Sequence, residues 1–302
     1  MRLILQSPYL VYEYLYWRVT NNLSDNSTKE LKANIEKLQI STLKGLSRNL
    51  VVQVLKDSKA LYYLKQFGST DTNSYIPNEN RILQELKDQK FVVEIFFYDN
   101  DNQILATKAW GEKNLKNLLK EKGANTDALL ELAVNVLVQI HTLNKVDLKI
   151  PKPKPYSLIK TDKPDDSTPI LLQEDLEYLF CTKEWKSSVL LHFDPRDVNF
   201  LVKGDETKLI DWEMAIYGDP MWDLAVFINS IIFTLGGDLF FLFSNPSTLE
   251  SVQKAISIIC TKYQSGTIGM FDKEKLKKFL RLQNTQFYGS IYYKERTDSI
   301  LP

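Results

Sequence analysis

Three polar side chains lie close together within residues 190–225, LLHFDPRDVNFLVKGDETKLIDWEMAIYGDPMWDLA. Asn199 follows Asp194 by five positions, and Asp211 follows an apolar pair further along. A positioned carboxylate can accept the proton of an attacking hydroxyl group. A carboxylate and an amide oxygen together suit Mg²⁺, which binds few protein ligands and keeps several waters. This segment therefore constrains the fold and the chemistry of the chain more than any other.

The residues between Asn199 and Asp211 predict a β-hairpin. Phe200 to Val202 is typical of a short strand, and Thr207 to Ile210 is typical of the returning strand. The intervening sequence KGDE contains a glycine and favours a turn. A hairpin of this length is expected to return Asp211 to the side of Asn199.

The full pattern is His192-x-Asp194-x4-Asn199, then Ile210-Asp211-Trp212-Glu213, then Gly218-Asp219-Pro220-x2-Asp223-Leu224-Ala225. In order and spacing it resembles the aminoglycoside phosphotransferase and choline kinase family, over roughly residues 40–230. That resemblance implies an α+β, bilobal protein-kinase-like fold, with a small antiparallel-sheet N-lobe and a larger, mostly helical C-lobe. A chain of 302 residues is long enough for two such lobes.

The expected organisation has three parts. Residues 1–37 form an N-terminal helical extension, residues 38–109 the nucleotide-binding N-lobe, and residues 110–302 the C-lobe with its acceptor-binding helices. Hydrophobic periodicity and turn residues predict the individual elements. The predicted helices are 8–20, Thr28–Leu38, 126–144, Pro169–Leu179, 248–264 and Asp272–Tyr288, and the predicted strands are Leu38–Leu43, Leu50–Leu55, Ala60–Phe67, Phe91–Tyr98 and Gln103–Trp110.

The resemblance assigns the nucleotide contacts to the N-lobe. Ser47, in the loop between the first two strands, would lie over the phosphates, where backbone N–H groups make the contacts. Lys65 on the third strand would neutralise phosphates and pair with Glu79. Glu85 is the fallback partner, and Lys59 is the competing lysine.

The adenine edge is expected at the segment Thr107 to Trp110, through backbone groups of Lys108 and Ala109. Backbone contacts of this kind leave ATP and GTP both open as the nucleotide.

In the C-lobe, the resemblance makes Asp194 the catalytic base, and Asn199 and Asp211 the ligands of Mg²⁺. Arg196 has two equally weighted interpretations. It either stabilises the transferring phosphate or forms a salt bridge with Asp197 or another nearby acid.

Three further residues of the pattern are expected to be structural. Asp223 would anchor the loop around Asp194 by accepting backbone N–H bonds. The two histidines of the chain, His141 and His192, are expected to form hydrogen bonds near this loop, so no histidine-based metal site is predicted.

Composition restricts partners and location. Lys+Arg and Asp+Glu both number 38, which gives no basic excess for nucleic acid. The chain contains no run of 18 apolar residues, so no transmembrane helix and no membrane partner are expected. The two cysteines, Cys181 and Cys260, follow no metal-binding spacing and fit a reduced, cytoplasmic protein. A monomer and a homodimer are both compatible with the sequence.

The predicted function is an ATP- and Mg²⁺-dependent transfer of the γ-phosphate to a hydroxyl of a small molecule resembling an aminoglycoside, choline or a sugar. Two alternatives remain open at this point. One is a kinase-like enzyme that acts on a protein hydroxyl, although Trp222 follows Asp211 too closely for a long activation segment. The other is a catalytically silent nucleotide-binding module, against which the intact Lys65, Asp194 and Asn199 argue.

Overall fold

A computed structural model of the chain describes residues 3–21, 26–43, 49–67, 76–111, 113–143, 189–237, 239–288 and 300–301. The chain divides into two compact units, Met1–Trp110 and Gly111–Pro302. The predicted helix Pro169–Leu179 and the predicted site residue Ser47 lie outside the described residues.

The first unit is built on an antiparallel sheet with the strand order β1-β2-β3-β5-β4. The strands are β1 (Leu38–Leu43), β2 (Asn49–Lys56), β3 (Lys59–Phe67), β4 (Ile95–Asp99) and β5 (Ile104–Lys108). Along β3, Tyr62 and Leu64 are buried, whereas Lys65 is only partly buried. Because successive side chains in a strand point to opposite faces, the core residues and Lys65 lie on opposite faces of the sheet.

All five predicted strands of this sheet are present, with small differences at their ends. The largest difference is in the fourth strand, which was predicted to begin at Phe91. β4 begins at Ile95, whereas Phe91 and Val92 are buried without belonging to the strand. Their apolar character reflects packing in the core, which a single sequence does not distinguish from strand formation.

Three helices belong to the first unit, namely α1 (Pro8–Thr20), α2 (Asn26–Lys32) and α3 (Ile76–Glu85). α1 begins as predicted, because the Ser7 hydroxyl accepts a hydrogen bond from the Leu10 amide at 3.3 Å. Its buried residues Val11 and Leu15 belong to the same core cluster as the sheet residues. The N-terminal segment is therefore integral to the first unit.

The prediction of one helix over Thr28–Leu38 was wrong at its end. α2 ends at Lys32, a short 3₁₀ turn covers Ile35–Lys37, and Leu38 already begins β1. The side-chain amide of Asn34 donates to the carbonyl of Glu30 at 2.8 Å. This bond satisfies a carbonyl of the last helical turn and stops the helix.

The second unit contains short strands and most of the helices. The strands are β6 (Lys113–Asn114), β7 (Val189–Leu191), β8 (Phe200–Lys203), β9 (Glu206–Leu209) and β10 (Ile216–Gly218), and the helices are α4 (Leu115–Leu119), α5 (Thr126–His141), α6 (Pro220–Gly236), α7 (Leu239–Ser244), α8 (Pro246–Gly266) and α9 (Lys273–Tyr288). β8 pairs with β9 in the predicted hairpin, with Phe200 opposite Leu209.

Side-chain caps fix where these helices begin. Asn245 accepts from the Thr248 amide at 3.2 Å at the start of α8, as its position before the helix predicts. Asp219 accepts from the Met221 amide at 3.1 Å at the start of α6. α6 is buried along almost its whole length and forms the centre of the second unit.

One glycine permits a close helix contact. A Cβ atom on Gly266 of α8 would lie 2.8 Å from the methyl groups of Val138 on α5. α5 and α8 can pack this closely only because Gly266 has no side chain. Within the described residues, no helix is both long enough and apolar enough to cross a membrane.

Candidate active site

A buried carboxylate fixes the loop that carries Asp194. Asp223, on the first turn of α6, accepts hydrogen bonds from the backbone amides of His192 at 2.8 Å and Phe193 at 2.9 Å. Phe193 has a φ of 75°, in the left-handed region that non-glycine residues seldom adopt. The two bonds hold the strained backbone immediately before Asp194, which is the structural role expected for Asp223.

A hydrogen-bonded chain continues behind Asp223. His141 Nε2 lies 3.3 Å from Asp223 Oδ2, and His141 Nδ1 lies 2.7 Å from the Tyr263 hydroxyl. Because the Asp223 carboxylate accepts, Nε2 of His141 donates to it, and Nδ1 faces the Tyr263 hydroxyl. Burial raises the pKa of Tyr263, so its hydroxyl keeps the proton that it donates. Helices α5 and α8 thus support the loop through side chains.

His192 is also structural, as predicted. Its Nε2 lies 2.9 Å from the carbonyl of Ile210, to which it donates, and its ring packs edge-on against Trp212. Burial lowers the pKa of His192 and keeps the ring neutral. The histidine therefore joins the loop before Asp194 to the end of the hairpin before Asp211.

The structure brings Asp194, Asn199 and Asp211 together. The Asn199 side-chain amide donates to the Asp194 carbonyl at 2.8 Å, which directs its oxygen Oδ1 elsewhere. The Ile210 amide donates to the Asn199 carbonyl at 3.0 Å, so the hairpin returns Asp211 beside Asn199. Asp211 has a φ of 71°, a conformation that aspartate tolerates better than most residues. The backbone thus delivers a carboxylate and an amide oxygen to one place.

Arg196 is paired with Asp194 itself. Its Nε and Nη2 atoms donate to the two carboxylate oxygens of Asp194, each at 2.7 Å. This hydrogen bonding raises the pKa of Arg196 further above its ordinary value. Asp197 accepts a short hydrogen bond from Thr234 instead. The salt bridge that was one interpretation of Arg196 therefore exists, with Asp194 as its partner.

The predicted lysine–glutamate pair is present in the first unit. Lys65 Nζ lies 2.8 Å from Glu79 Oε2, and both side chains are largely buried. The competing lysine, Lys59, is exposed at the start of β3, and the fallback acid, Glu85, is exposed on α3. Lys65 and Glu79 are thus the pair that the surrounding structure encloses.

The backbone amides of Lys108 and Ala109 are already engaged within the first unit. The Lys108 amide donates to the Glu94 carbonyl at 2.9 Å, and the Ala109 amide donates to the Leu61 carbonyl at 2.8 Å. The Lys108 side chain pairs with Glu94 at 2.8 Å, and this hydrogen bond raises its pKa. A nucleobase bound at this segment would have to donate hydrogen bonds to the carbonyl oxygens of Lys108 and Ala109, because the N–H groups of these residues are already hydrogen-bonded within the protein.

Residues 39–241 match the model of the phosphotransferase enzyme family. The chain belongs to this family. The enzyme class predicted from the sequence, a phosphotransferase, is confirmed, and the sequence has no significant match among curated proteins.

Solved structures similar to this phosphotransferase confirm the fold class. A choline kinase from Streptococcus pneumoniae is 20% identical with a TM-score of 0.57, and covers 89% of this chain and 91% of its own. An ethanolamine kinase from Plasmodium vivax is 15% identical with a TM-score of 0.59, over 98% of this chain and 88% of its own. An aminoglycoside-3'-phosphotransferase of type VIII is 15% identical with a TM-score of 0.59, over 86% and 97%. The fold is the bilobal α+β protein-kinase-like fold.

A cavity of about 480 Å³ in the second unit of the phosphotransferase opens beside Asp194. Its apolar lining includes Phe193 and Trp222, whose rings stack with centroids 5.2 Å apart. Its polar lining residues are Lys116, Asp194, Arg196, Asp197, Asn229, Ser230, Thr234 and Gln283. A cavity of this size accommodates a small organic molecule.

Sequence reasoning did not identify most of these lining residues. Asn229 and Ser230 interrupt the apolar run VFINSIIF of α6, and polar residues in a buried helix were the available signal. Gln283, on α9, could not be assigned to the cavity because it lies 54 positions from Asn229, its hydrogen-bond partner.

Proposed function

We propose that this phosphotransferase uses ATP and Mg²⁺ to phosphorylate a hydroxyl group of a small molecule, with Asp194 as the catalytic base. One observation carries the proposal. Asn199 is hydrogen-bonded to the Asp194 carbonyl, and the hairpin returns Asp211 to Asn199. The arrangement groups a potential base with two oxygen ligands, as phosphoryl transfer from a nucleotide requires.

The residues fit magnesium in their chemistry. Asn199 uses its amide nitrogen within the protein, which leaves the oxygen Oδ1 as its possible ligand atom. Asp211 adds a carboxylate on a fixed backbone. In the proposal these two residues hold Mg²⁺, which would neutralise charge on the nucleotide phosphates when bound.

Lys65 and Glu79 support nucleotide binding. The Lys65 ammonium group is largely buried and lies 2.8 Å from the Glu79 carboxylate, which restricts its orientation. In the proposal, Lys65 binds phosphate, and Ser47 lies in the loop over the phosphates. Carbonyl oxygens of Lys108 and Ala109 accept hydrogen bonds from the nucleobase. The nucleotide is either ATP or GTP.

The exposure of the Asp194 side chain supports its proposed role as the catalytic base. Its side chain is 30% exposed, and it borders the cavity. In the proposal it accepts a hydrogen bond from the acceptor hydroxyl and receives its proton. Arg196 leaves Asp194 when the substrates bind and donates to the transferring phosphate. Orientation and charge neutralisation provide most of the rate enhancement.

The cavity beside Asp194 is the proposed acceptor site. The choline, ethanolamine and aminoglycoside kinases that resemble this chain in fold support an acceptor of small size. We also propose three segments in the chain: residues 1–37 as the N-terminal helical extension, residues 38–109 as the nucleotide-binding N-lobe and residues 110–302 as the C-lobe. The proposed location is the cytoplasm, and the proposed state is a monomer or a homodimer.

The decisive experiment measures ADP release from MgATP with a panel of hydroxylated amines, sugars, amino acids and antibiotics. We expect turnover of at least one acceptor by the wild type and its loss in Asp194→Asn. ATP binding without turnover would favour a protein acceptor or a silent nucleotide-binding module. Absence of binding of both ATP and GTP, measured by calorimetry with Mg²⁺ present, would refute the proposal.

A further inference from the structure

A cavity of about 430 Å³ lies within the first unit, and the proposed phosphoryl transfer makes no use of it. Its walls are the short 3₁₀ turn Ile4–Gln6, one face of α1, and the turn between β4 and β5. A cavity of this size can hold a small organic molecule. The lining residues that bear polar or aromatic groups are Tyr9, Glu13, Tyr14, Trp17 and Asn102.

Helix α1 presents a carboxylate between two aromatic rings to this cavity. Tyr9, Glu13 and Trp17 follow one another at intervals of four residues, so they share one face of the helix. Tyr9 is 70% exposed and Trp17 is 49% exposed, which leaves both rings accessible to a ligand. Glu13 therefore lies about one helical turn from an accessible ring on either side.

The Glu13 carboxylate is available to a ligand. The residue is exposed, and no ion pair or hydrogen bond engages it within the part of the chain that the structure describes. The cationic residue of α1, Arg18, is buried and lies over the Phe97 ring, 3.8 Å from its centroid. The negative charge of Glu13 is thus left for a molecule in the cavity.

The turn between β4 and β5 adds a second acceptor. Asp99 accepts from the Tyr14 hydroxyl at 2.7 Å and from Asn102 Nδ2 at 3.0 Å. Because an ionised carboxylate can only accept, the amide nitrogen of Asn102 must face Asp99, and the oxygen Oδ1 is left over. Asn102 is partly exposed, and none of the described residues donates to that oxygen. The Tyr14 hydroxyl has already used its proton, so it is not a donor to the cavity.

These groups together select for a cation. Aromatic faces attract a positive charge, and carboxylate and amide oxygens accept hydrogen bonds from charged N–H groups. Among the described residues no lysine or arginine lines the cavity, so an anionic ligand would find no ion-pair partner there. A neutral ligand would gain neither the ion pair with Glu13 nor the attraction of the rings.

We infer that this cavity is a binding site for a small, monovalent alkylammonium ion that carries N–H groups. The nitrogen donates to the Glu13 carboxylate and to Oδ1 of Asn102, and the rings of Tyr9 and Trp17 contact the rest of the ion. The cavity shares no lining residue with the one beside Asp194. The inference therefore does not depend on the proposed function.

The test titrates the whole chain with n-butylammonium and follows tryptophan fluorescence, because Trp17 lines the cavity. We expect a saturable change with a Kd of roughly 1–10 mM, since so small a ligand makes few contacts. 1-Butanol has no charge and should give no saturable change. N,N,N-Trimethylbutylammonium keeps the charge without an N–H group and should bind at least about threefold more weakly. Trp17→Phe should abolish the fluorescence change.

Three variants locate the site, with calorimetry as the measure of Kd. Glu13→Gln removes the charge at nearly constant shape and should weaken binding about threefold or more. Glu36→Gln is the matched control, because Glu36 is also an exposed glutamate of the first unit but lies outside the cavity. Asp194→Asn should leave the titration unchanged, which separates this site from the cavity beside Asp194.

Absence of saturable binding up to about 100 mM butylammonium would overturn the inference. Equal binding of 1-butanol would do so too, as would an affinity that falls in Asp194→Asn and not in Glu13→Gln. Equal binding of the trimethyl derivative would overturn the hydrogen bonds to Glu13 and Asn102. Binding of a lysine-containing peptide without any response to butylammonium would assign the cavity to a protein partner and likewise overturn the inference.

Discussion

Asp194 and Asp223 are two aspartates of the same site, and their surroundings differ sharply. The Asp223 side chain is 0% exposed, and its two oxygens are occupied by backbone amides and His141. The Asp194 side chain is 30% exposed and is held by Arg196, which is itself 50% exposed. One carboxylate is saturated by the fold, and the other is held by a single, half-exposed side chain.

The difference separates two uses of the same functional group. A carboxylate saturated by rigid donors stabilises a loop and has no capacity for a substrate. A carboxylate held by an exposed arginine can change partners, because an exposed ion pair contributes little free energy. We therefore expect substitutions at Asp223 to act on stability and substitutions at Asp194 to act on catalysis.

The largest effect is expected for Asp194→Asn. Removing a general base lowers the rate by roughly 10²–10⁴-fold, so kcat for the acceptor should fall by that factor. Nucleotide affinity and the free energy of unfolding should remain close to those of the wild type. Steady-state kinetics and urea denaturation test this. A variant with full activity would show that Asp194 is not the base.

Asp223→Ala should mainly lower stability, whereas Asp194→Asn should mainly lower catalysis. The variant leaves the backbone amides of His192 and Phe193 and the ring of His141 without their acceptor, at about 1–3 kcal/mol for each unsatisfied group. We expect the free energy of unfolding to fall by roughly 2–6 kcal/mol from the two amides alone. Chemical denaturation measures the loss, with Asp205→Ala in the exposed β8–β9 turn as the control. A loss below 1 kcal/mol would contradict the anchoring role.

Arg196→Ala tests the ion pair that holds the more exposed of the two aspartates, Asp194. Its ion pair with Asp194 is partly exposed, so the free energy of unfolding should change by less than about 1 kcal/mol. If Arg196 donates to the transferring phosphate, kcat should fall by about 10-fold while KM for the acceptor stays constant. Arg196→Lys should recover part of the rate. An unchanged kcat would limit Arg196 to its ion pair.

Tyr263→Phe should give the smallest effect. The variant removes the hydroxyl that donates to His141, at a cost of about 0.5–1.5 kcal/mol. Because the loop anchor itself remains, kcat should change by less than about threefold, which corresponds to well under 1 kcal/mol. Thermal unfolding and kinetics measure both quantities, with the exposed Tyr9→Phe as the control. A large loss of activity at unchanged stability would show that the hydrogen bonds from Tyr263 through His141 to Asp223 affect catalysis directly.

Local patterns predicted the parts of the fold that depend on near neighbours. Ser7 and Asn245 cap helices because their side chains reach amides three residues ahead. The hairpin from Phe200 to Leu209 follows from two short apolar strands around a glycine-containing turn. These features explain why the grouping of Asn199 with Asp211 could be predicted.

Interactions between distant segments could not be predicted in the same way. The pairing of Asn229 with Gln283 and the occupied amide of Ala109 depend on which segments meet in the fold. The early end of α2 depends on the competition between the Asn34 side chain and continued helix formation. A single sequence contains the participants in each case but does not specify the contact.

The left-handed backbone of Asp211 restricts how its chemistry can be altered. Glycine, asparagine and aspartate adopt this conformation with little strain, whereas most other residues do not. Alanine at this position would combine the loss of a carboxylate with a conformational penalty, so its phenotype would report two effects at once. Asparagine retains the favoured backbone and changes only the charge. The position thus admits few replacements for two independent reasons, and Asp211→Asn isolates the electrostatic one.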